Sequence, residues 1–365
     1  MPIVKIKRGL RPVAALDNNA LNNAIQGAAD GAFASFTVSN SIDLDPSDTG
    51  NASFSYSYPM SFDPVNKRLY NHGGCHGISA VNIQRQFLAQ YNIATNAWTS
   101  PMDAVAGGIS ATDPGGTHGF NMWGCDFQDG SVWGTVAYFS STTLRKRTSA
   151  GVWSTPSISA PPRTNSTNGV SYHPGLYGGR GGLIWVSDGG IWSIDHRTDL
   201  GGSGTGQWIL DRYNSPNGFL DAMGDAGTVH AWNYTDSSLY VGGGSVNKIW
   251  KIPGDSGAGT PVLIATSPIT PYVWDDFNNT GLLISAGRGG YLKLIQRDGP
   301  VYEYNHNADS WSGQIATLDS GILAAPSNEI AVGTVPLTGS DYGAIVFFKR
   351  DSSLFTDTTG YIWRV

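Results

Sequence analysis

The sequence predicts an all-β chain folded as a six-bladed propeller and closed on itself by an N-terminal strand. Three observations carry this: a tryptophan period, six recurring hairpin signals, and 48 glycines in 365 residues, nearly double the usual share of about 7%. Trp98, Trp153 and Trp208 stand 55 residues apart, and Trp311 follows 103 further on, close to two more periods. A self-similar period of about 50 residues is the signature of a blade that cannot bury its apolar faces without neighbours. A propeller grows by adding blades around an axis, so this length does not force a second globular domain.

Within each period an aromatic run, a short Asp/Asn/Gly/Pro turn and a second apolar run recur, as expected of a β-hairpin. In order, these are SYSYPMSF-DPVNK-RLYNHGG, GFNMWGCDF-QDG-SVWGTVAYF, VSYHPGLYG-GRGG-LIWVSDGG, VHAWNY-TDSS-LYVGGG, PYVWDDF-NNTG-LLISAGRGG and EIAVGTVPL-TGSDYG-AIVFFKRDS. A third strand follows each hairpin: FLAQY, TLRKR, IWSID, KIWKI, VYEY and YIWRV. Tyr91, Lys146 and Tyr304 each stand seven residues before a closing tryptophan, an offset that marks the turn into a fourth, outermost strand. The sixth blade reaches Val365 with only three strands, and an open edge exposes unpaired backbone groups. The alternating segment Ala34 to Ile42 is therefore expected to supply the missing strand beside Ile362.

Paired glycines after second strands, with YNIATNAW in blade one and YNHNADSW in blade five, resemble kelch repeats, in which Gly-Gly precedes a Tyr and a Trp at fixed separation. The resemblance spans roughly residues 50 to 365 and implies a kelch-like β-propeller.

Residues 1–33 lie outside the repeat and form a short extension with a small helix. Leu16, Ala20, Leu21, Ala24, Ile25 and Ala28 share one side of that helix, with Asp17 as its N-cap. Such a short helix is marginal alone and must pack on something, either its own propeller or a partner. On the second reading, Lys5, Lys7, Arg8, Arg11, Leu16, Leu21 and Ile25 form a docking or oligomerisation arm. The opening VKIKRG is similar to the basic leader of many tailed-phage fibre and tail proteins, which implies a virion protein attached through its N-terminus to other virion proteins or to copies of itself.

A net charge of −6 speaks against general nucleic-acid binding, which requires a basic footprint. No stretch reaches the 18 apolar residues of a membrane span. Cys75 and Cys125 are expected to be free, partly buried thiols. No catalytic residue, metal or cofactor is assigned. His72 and His76 flank a Gly-Gly-Cys turn and not a helix, so they do not form the same-face pair of a zinc protease. Asp275 and Asp276 are adjacent on an expected strand and point to opposite faces, which excludes joint action on one bond.

Candidate ligand residues cluster on the face of the second-to-third strand loops: His72, His76, Arg85, Asp188 and Arg288. Trp123, Tyr172, Trp232 and Trp274 fall on expected innermost strands, where they either line the channel as sugar-stacking platforms or fill the wedge between blades. The functional expectation is a non-enzymatic virion component. The alternatives are a carbohydrate-binding propeller for surface recognition, bacterial or extracellular, and a glycan-processing propeller enzyme.

Overall fold

The computed structural model describes residues 20–40, 42–43, 60–73, 87–99, 123–135, 144–158, 169–187, 190–211, 228–233, 236–243, 247–253, 261–271, 280–285, 292–296, 300–323, 330–336, 343–349, 354–355 and 359–364. Their strands form six small, mainly antiparallel sheets arranged in a ring, and Ile42–Asp43 pairs with Leu354–Phe355 as a separate two-stranded ladder. The innermost strands are Met60–Asp63, Trp123–Cys125, Gly169–His173, Thr228–Asn233, Thr280–Ser285 and Ile330–Pro336. Each neighbours the next, and the last returns to the first. The protein is a six-bladed β-propeller.

The closure follows the expected seam. Phe33–Thr37 pairs antiparallel with Thr359–Arg364, placing Ala34 opposite Ile362 and Phe36 opposite Gly360. Phe33 stacks on Trp363 at 5.5 Å, and a Cβ at Gly360 would stand 2.2 Å from the Phe36 ring. The chain then continues onto blade one: Asn40 Nδ2 donates to the Trp98 carbonyl at 2.9 Å, and the Trp98 N–H donates to Asn40 Oδ1 at 2.8 Å. One segment thus binds the last blade and the first.

Helix α1 (Ala20–Gly27) lies over this seam and settles which surface its apolar face meets. Leu21 and Ile25 are fully buried in one cluster with Phe36, Val38, Phe348 and Ile362. Arg364 fastens the helix end by donating through Nη1 to the carbonyls of Ala28 at 2.7 Å and Gln26 at 3.2 Å. Those donations satisfy carbonyls that the helix leaves without intrahelical partners. Leu21 and Ile25 are therefore corrected from docking residues to core residues. Lys5, Lys7, Arg8, Arg11 and Leu16 lie outside the described residues.

The Tyr and Trp motif of blades one and five has a local cause. In blade one, Asn92 Oδ1 accepts from the N–H groups of Ala94 and Thr95 at 2.9 and 3.1 Å. In blade five, Asn305 Oδ1 accepts from Asn307 and Ala308 at the same two distances. Each turn then passes through a positive φ, at Asn96 and Asp309, residue types that tolerate this region. The side chains of those two residues accept from the preceding tyrosines: Tyr91 Oη to Asn96 Oδ1 at 2.5 Å and Tyr304 Oη to Asp309 Oδ1 at 2.7 Å. Tyr91 then sits directly opposite Trp98, and Tyr304 opposite Trp311. Blade two differs. There Trp153 faces Arg147 and Lys146 faces Ser154, so the seven-residue offset is not a direct pair.

Blade five also shifts the expected strand frame by one. Its innermost strand is Thr280–Ser285, followed by Leu292–Gln296, Pro300–Asn305 and Ser310–Thr317, while Thr270–Pro271 adds a two-residue parallel rung beside Thr280 and Gly281. The segment LKLIQ, not expected as a strand, is the second of that blade.

The wedges between blades are tightly filled. Trp123 is 4% exposed and meets Trp153 edge to face at 5.4 Å, while a Cβ at Gly134 would fall 2.2 Å from the Trp123 ring. Gly134→Ala is expected to lower stability by about 1–3 kcal/mol, the usual cost of overpacking, measured as a fall in the denaturant midpoint at unchanged slope.

Candidate functional site

In an antiparallel blade each strand reverses the last, so the first-to-second and third-to-fourth turns share one face of the ring. Blade two places the turn from Asp126 to Ser131 on that face, and blade three places the segment from Asp195 to Thr205 there. The sequence is rich in charge at both: CDFQDG in one and IDHRTD in the other. Folding brings them together.

At the centre is Asp126, whose side chain is fully buried. Its Oδ2 faces His196 Nε2 at 2.9 Å and Arg197 Nη1 at 3.2 Å, and its Oδ1 accepts from the Gln128 N–H at 2.8 Å. Burial pushes the Asp126 pKa up, but the His196 hydrogen bond and charge, the Gln128 N–H and the Arg197 charge outweigh it and leave it below the usual carboxylate range. Facing an ionised carboxylate, His196 Nε2 carries the proton. Arg197 reaches the other way as a fork onto Asp199, with Nε to Oδ1 at 2.9 Å and Nη2 to Oδ2 at 2.7 Å. The Asp199 hydrogen bonds push the Arg197 pKa further up, and Arg197 in turn holds Asp199 low.

Beside this network lies a pocket of about 450 Å³ lined by Trp133, Lys146, Pro156, Ser157, Ile158, His196, Thr198 and Asp199. That volume lies within the range of small-molecule sites. Trp133 is fixed on three sides. Its Nε1 donates to Ser131 Oγ at 2.8 Å, its ring meets His196 edge to face at 4.9 Å, and Lys146 Nζ lies 4.9 Å from its ring centroid. Lys146 is paired cross-strand with Trp133, which puts both side chains on the blade-two surface that turns towards blade three. The pocket thus combines an ammonium, two hydroxyls, a locked carboxylate and an apolar wall from Pro156 and Ile158.

Of the residues singled out as ligand candidates from sequence, those that are described, His72, Trp123, Tyr172 and Trp232, do not line this pocket. Trp123 is buried, which decides for core packing over a stacking platform and removes it from the ligand candidates. Tyr172 and Trp232, 1% and 8% exposed, are core residues too. His72 belongs to the second strand of blade one, opposite Leu88. His76, Arg85, Asp188, Arg288 and Trp274 lie outside the described residues. Cys125 is free and buried, and burial pushes its thiol well up, away from nucleophilic thiolate. Among the described residues no group of three or more His, Cys, Asp or Glu could hold a metal ion, and no helix is long and apolar enough to cross a membrane.

No family model and no curated protein matches the chain. The similarity lies in structure. An auxiliary nutrient binding protein from Bacteroides ovatus aligns with a TM-score of 0.52 at 12% identity, covering 92% of this chain and 78% of that one. YCF48 from Cyanidioschyzon merolae aligns at a TM-score of 0.43 and 10% identity, over 89% of this chain and 99% of its own. A member of the DUF4221 family from Bacteroides vulgatus aligns at 0.45 and 10%, over 92% and 99%. The likeness to the Bacteroides ovatus protein bears on the fold alone.

Proposed function

We propose that this chain is a non-enzymatic binding propeller that holds a small hydroxyl-rich ligand of the saccharide kind between blades two and three. The observation that carries this reading is the 450 Å³ pocket, with donors, acceptors and an apolar wall. A binding role is favoured over catalysis because the nearby carboxylates are committed. Asp126 is buried and depressed by His196 and Arg197, and Asp199 is held low by the same arginine. Neither is poised to exchange protons near neutral pH, as a general acid or base must.

The test is a glycan array followed by titration calorimetry on the hits. Ser157→Trp places an indole in the pocket from an exposed position and is expected to abolish binding while leaving the thermal midpoint unchanged. Undiminished binding by this variant refutes the assignment.

A second reading, a virion component, rests on the basic N-terminal stretch. The helix is fixed over the seam, and the basic stretch Lys5 to Arg11 precedes it in the sequence. On this reading Lys5, Lys7, Arg8 and Arg11 engage other virion proteins or further copies of the chain. Native mass measurement is expected to show an oligomer for the full chain and a monomer once residues 1–19 are removed. A full chain that is already monomeric counts against it.

A further inference from the structure

The ligand class of this pocket can be narrowed further, resting on the saccharide-binding reading above. Of the charged side chains that line it, Asp199 is already matched by the two-pronged contact from Arg197. Behind the wall, Asp126 is matched by His196 and Arg197. Asp129 Oδ1 accepts from both the N–H and the hydroxyl of Ser131, at 2.8 and 2.5 Å. Lys146 is treated differently. Its ammonium lies over the Trp133 ring and forms an ion pair of 3.6 Å with Asp129 Oδ2, longer than a hydrogen bond, so its N–H groups remain available to a closer acceptor.

The ammonium is also held in place. Its stem is cross-strand to Trp133, and that indole is pinned by Ser131 and by His196, so little side-chain freedom remains to be lost on binding. A half-buried, pre-placed cation with open donors gains most from an anionic acceptor, since a charge-assisted hydrogen bond is about twice as strong as a neutral one. Ser157 and Thr198 offer hydroxyls to further oxygens, while Pro156 and Ile158 suit the C–H surface of a pyranose.

We propose that the pocket takes an acidic saccharide, a uronic-acid-type sugar whose carboxylate is bound by Lys146 and whose ring lies against Pro156 and Ile158. Lys146 is the specificity-determining residue of the site.

The experiment compares matched oligosaccharides, hexuronic acid against neutral hexose, by calorimetry on the full-length protein and on Lys146→Met and Lys146→Arg. Methionine keeps an apolar stem over Trp133 and removes the charge, while arginine restores it. The acidic oligomer is expected to bind wild type on the order of tenfold more tightly than the neutral one, with an advantage that shrinks as salt rises. That preference should vanish in Lys146→Met and return in Lys146→Arg, with thermal midpoints reporting that all three are folded. Equal affinity for both oligomers, or an acidic preference that survives in Lys146→Met, overturns the inference and leaves saccharide binding standing. Binding of neither oligomer overturns the inference together with the reading beneath it.

Discussion

Removing residues 1–40 is expected to abolish cooperative folding of the ring. The deletion takes away the outermost strand of blade six, the two-way contact between Asn40 and Trp98, and the buried side chains of Leu21, Ile25, Phe36 and Val38. Four such side chains represent on the order of 6–12 kcal/mol of burial, comparable to the whole stability of a typical domain at roughly 5–15 kcal/mol. The loss also exposes the Thr359–Arg364 edge and the face of Phe348 that meets Phe36, and so weakens the joint between blades six and one. Thermal unfolding by circular dichroism should lose its sigmoidal transition, with dye binding to exposed apolar surface at room temperature. A synthetic peptide spanning residues 20–40, added in trans, should restore the transition in a concentration-dependent way, because binding to the folded form stabilises by mass action. A sharp, unshifted transition in the deleted protein is incompatible with the seam described above.

Asp126→Ala is expected to cost about 3–5 kcal/mol, the usual result of leaving buried charge without its partner. The substitution removes the common acceptor of His196 and Arg197 across the joint between blades two and three and leaves the imidazole with no ion-pair partner among the described residues. Asp126→Asn keeps the volume and one acceptor oxygen and should cost less. The acid dependence follows from the direction of the shift. Because the folded-state pKa lies below the ordinary 3.8, the carboxylate contributes stability that is fully present above about 3.8 and is lost as pH falls through the depressed value. Wild type should therefore lose denaturant stability more steeply than Asp126→Asn below pH 4. Parallel curves for the two proteins exclude this contribution.

The parts of the fold visible in sequence are those governed by contacts close along the chain. YNIATNAW and YNHNADSW contain their own turn acceptor, positive-φ residue and tyrosine partner within eight residues, so spacing alone locates the third and fourth strands. The seam was legible for a different reason: a three-stranded last blade required a donor, and one alternating segment was available. Blade five departs from the expected frame at LKLIQ, which contains Lys293. A lysine in the middle of LKLIQ reads as solvent-facing, yet it is 3% exposed and donates to Glu303 Oε2 at 2.6 Å. Burial lowers its pKa, and the Glu303 hydrogen bond and charge oppose that shift. The pairing is cross-strand and becomes apparent only once the register is known.

The pocket residues were hidden in the same way. CDFQDG and IDHRTD are separated by some 70 residues, and nothing in either says that adjacent blades bring them face to face. Trp133 reads as an ordinary strand position, and Lys146 stands out only for its seven-residue offset from Trp153. The feature that could have drawn attention to them is the density of acidic and basic residues in two turns on the same side of the ring, in a chain whose charged fraction is only 14%. The aromatic residues that did stand out, Trp123 above all, were conspicuous because large rings recur wherever wedges between blades need filling.

The direction of the seam also sets how the molecule bears load. Phe33 lies opposite Trp363 and Thr37 opposite Thr359, so tension applied between the two ends of the chain opens the rungs one at a time, starting from the Phe33 side. Before any rung opens, however, a pull on the N-terminal side must first peel α1 from its apolar seat and break the grip of Arg364 on the helix end. The helix acts as a strain relief, taking the first force so that the ring behind it stays shut.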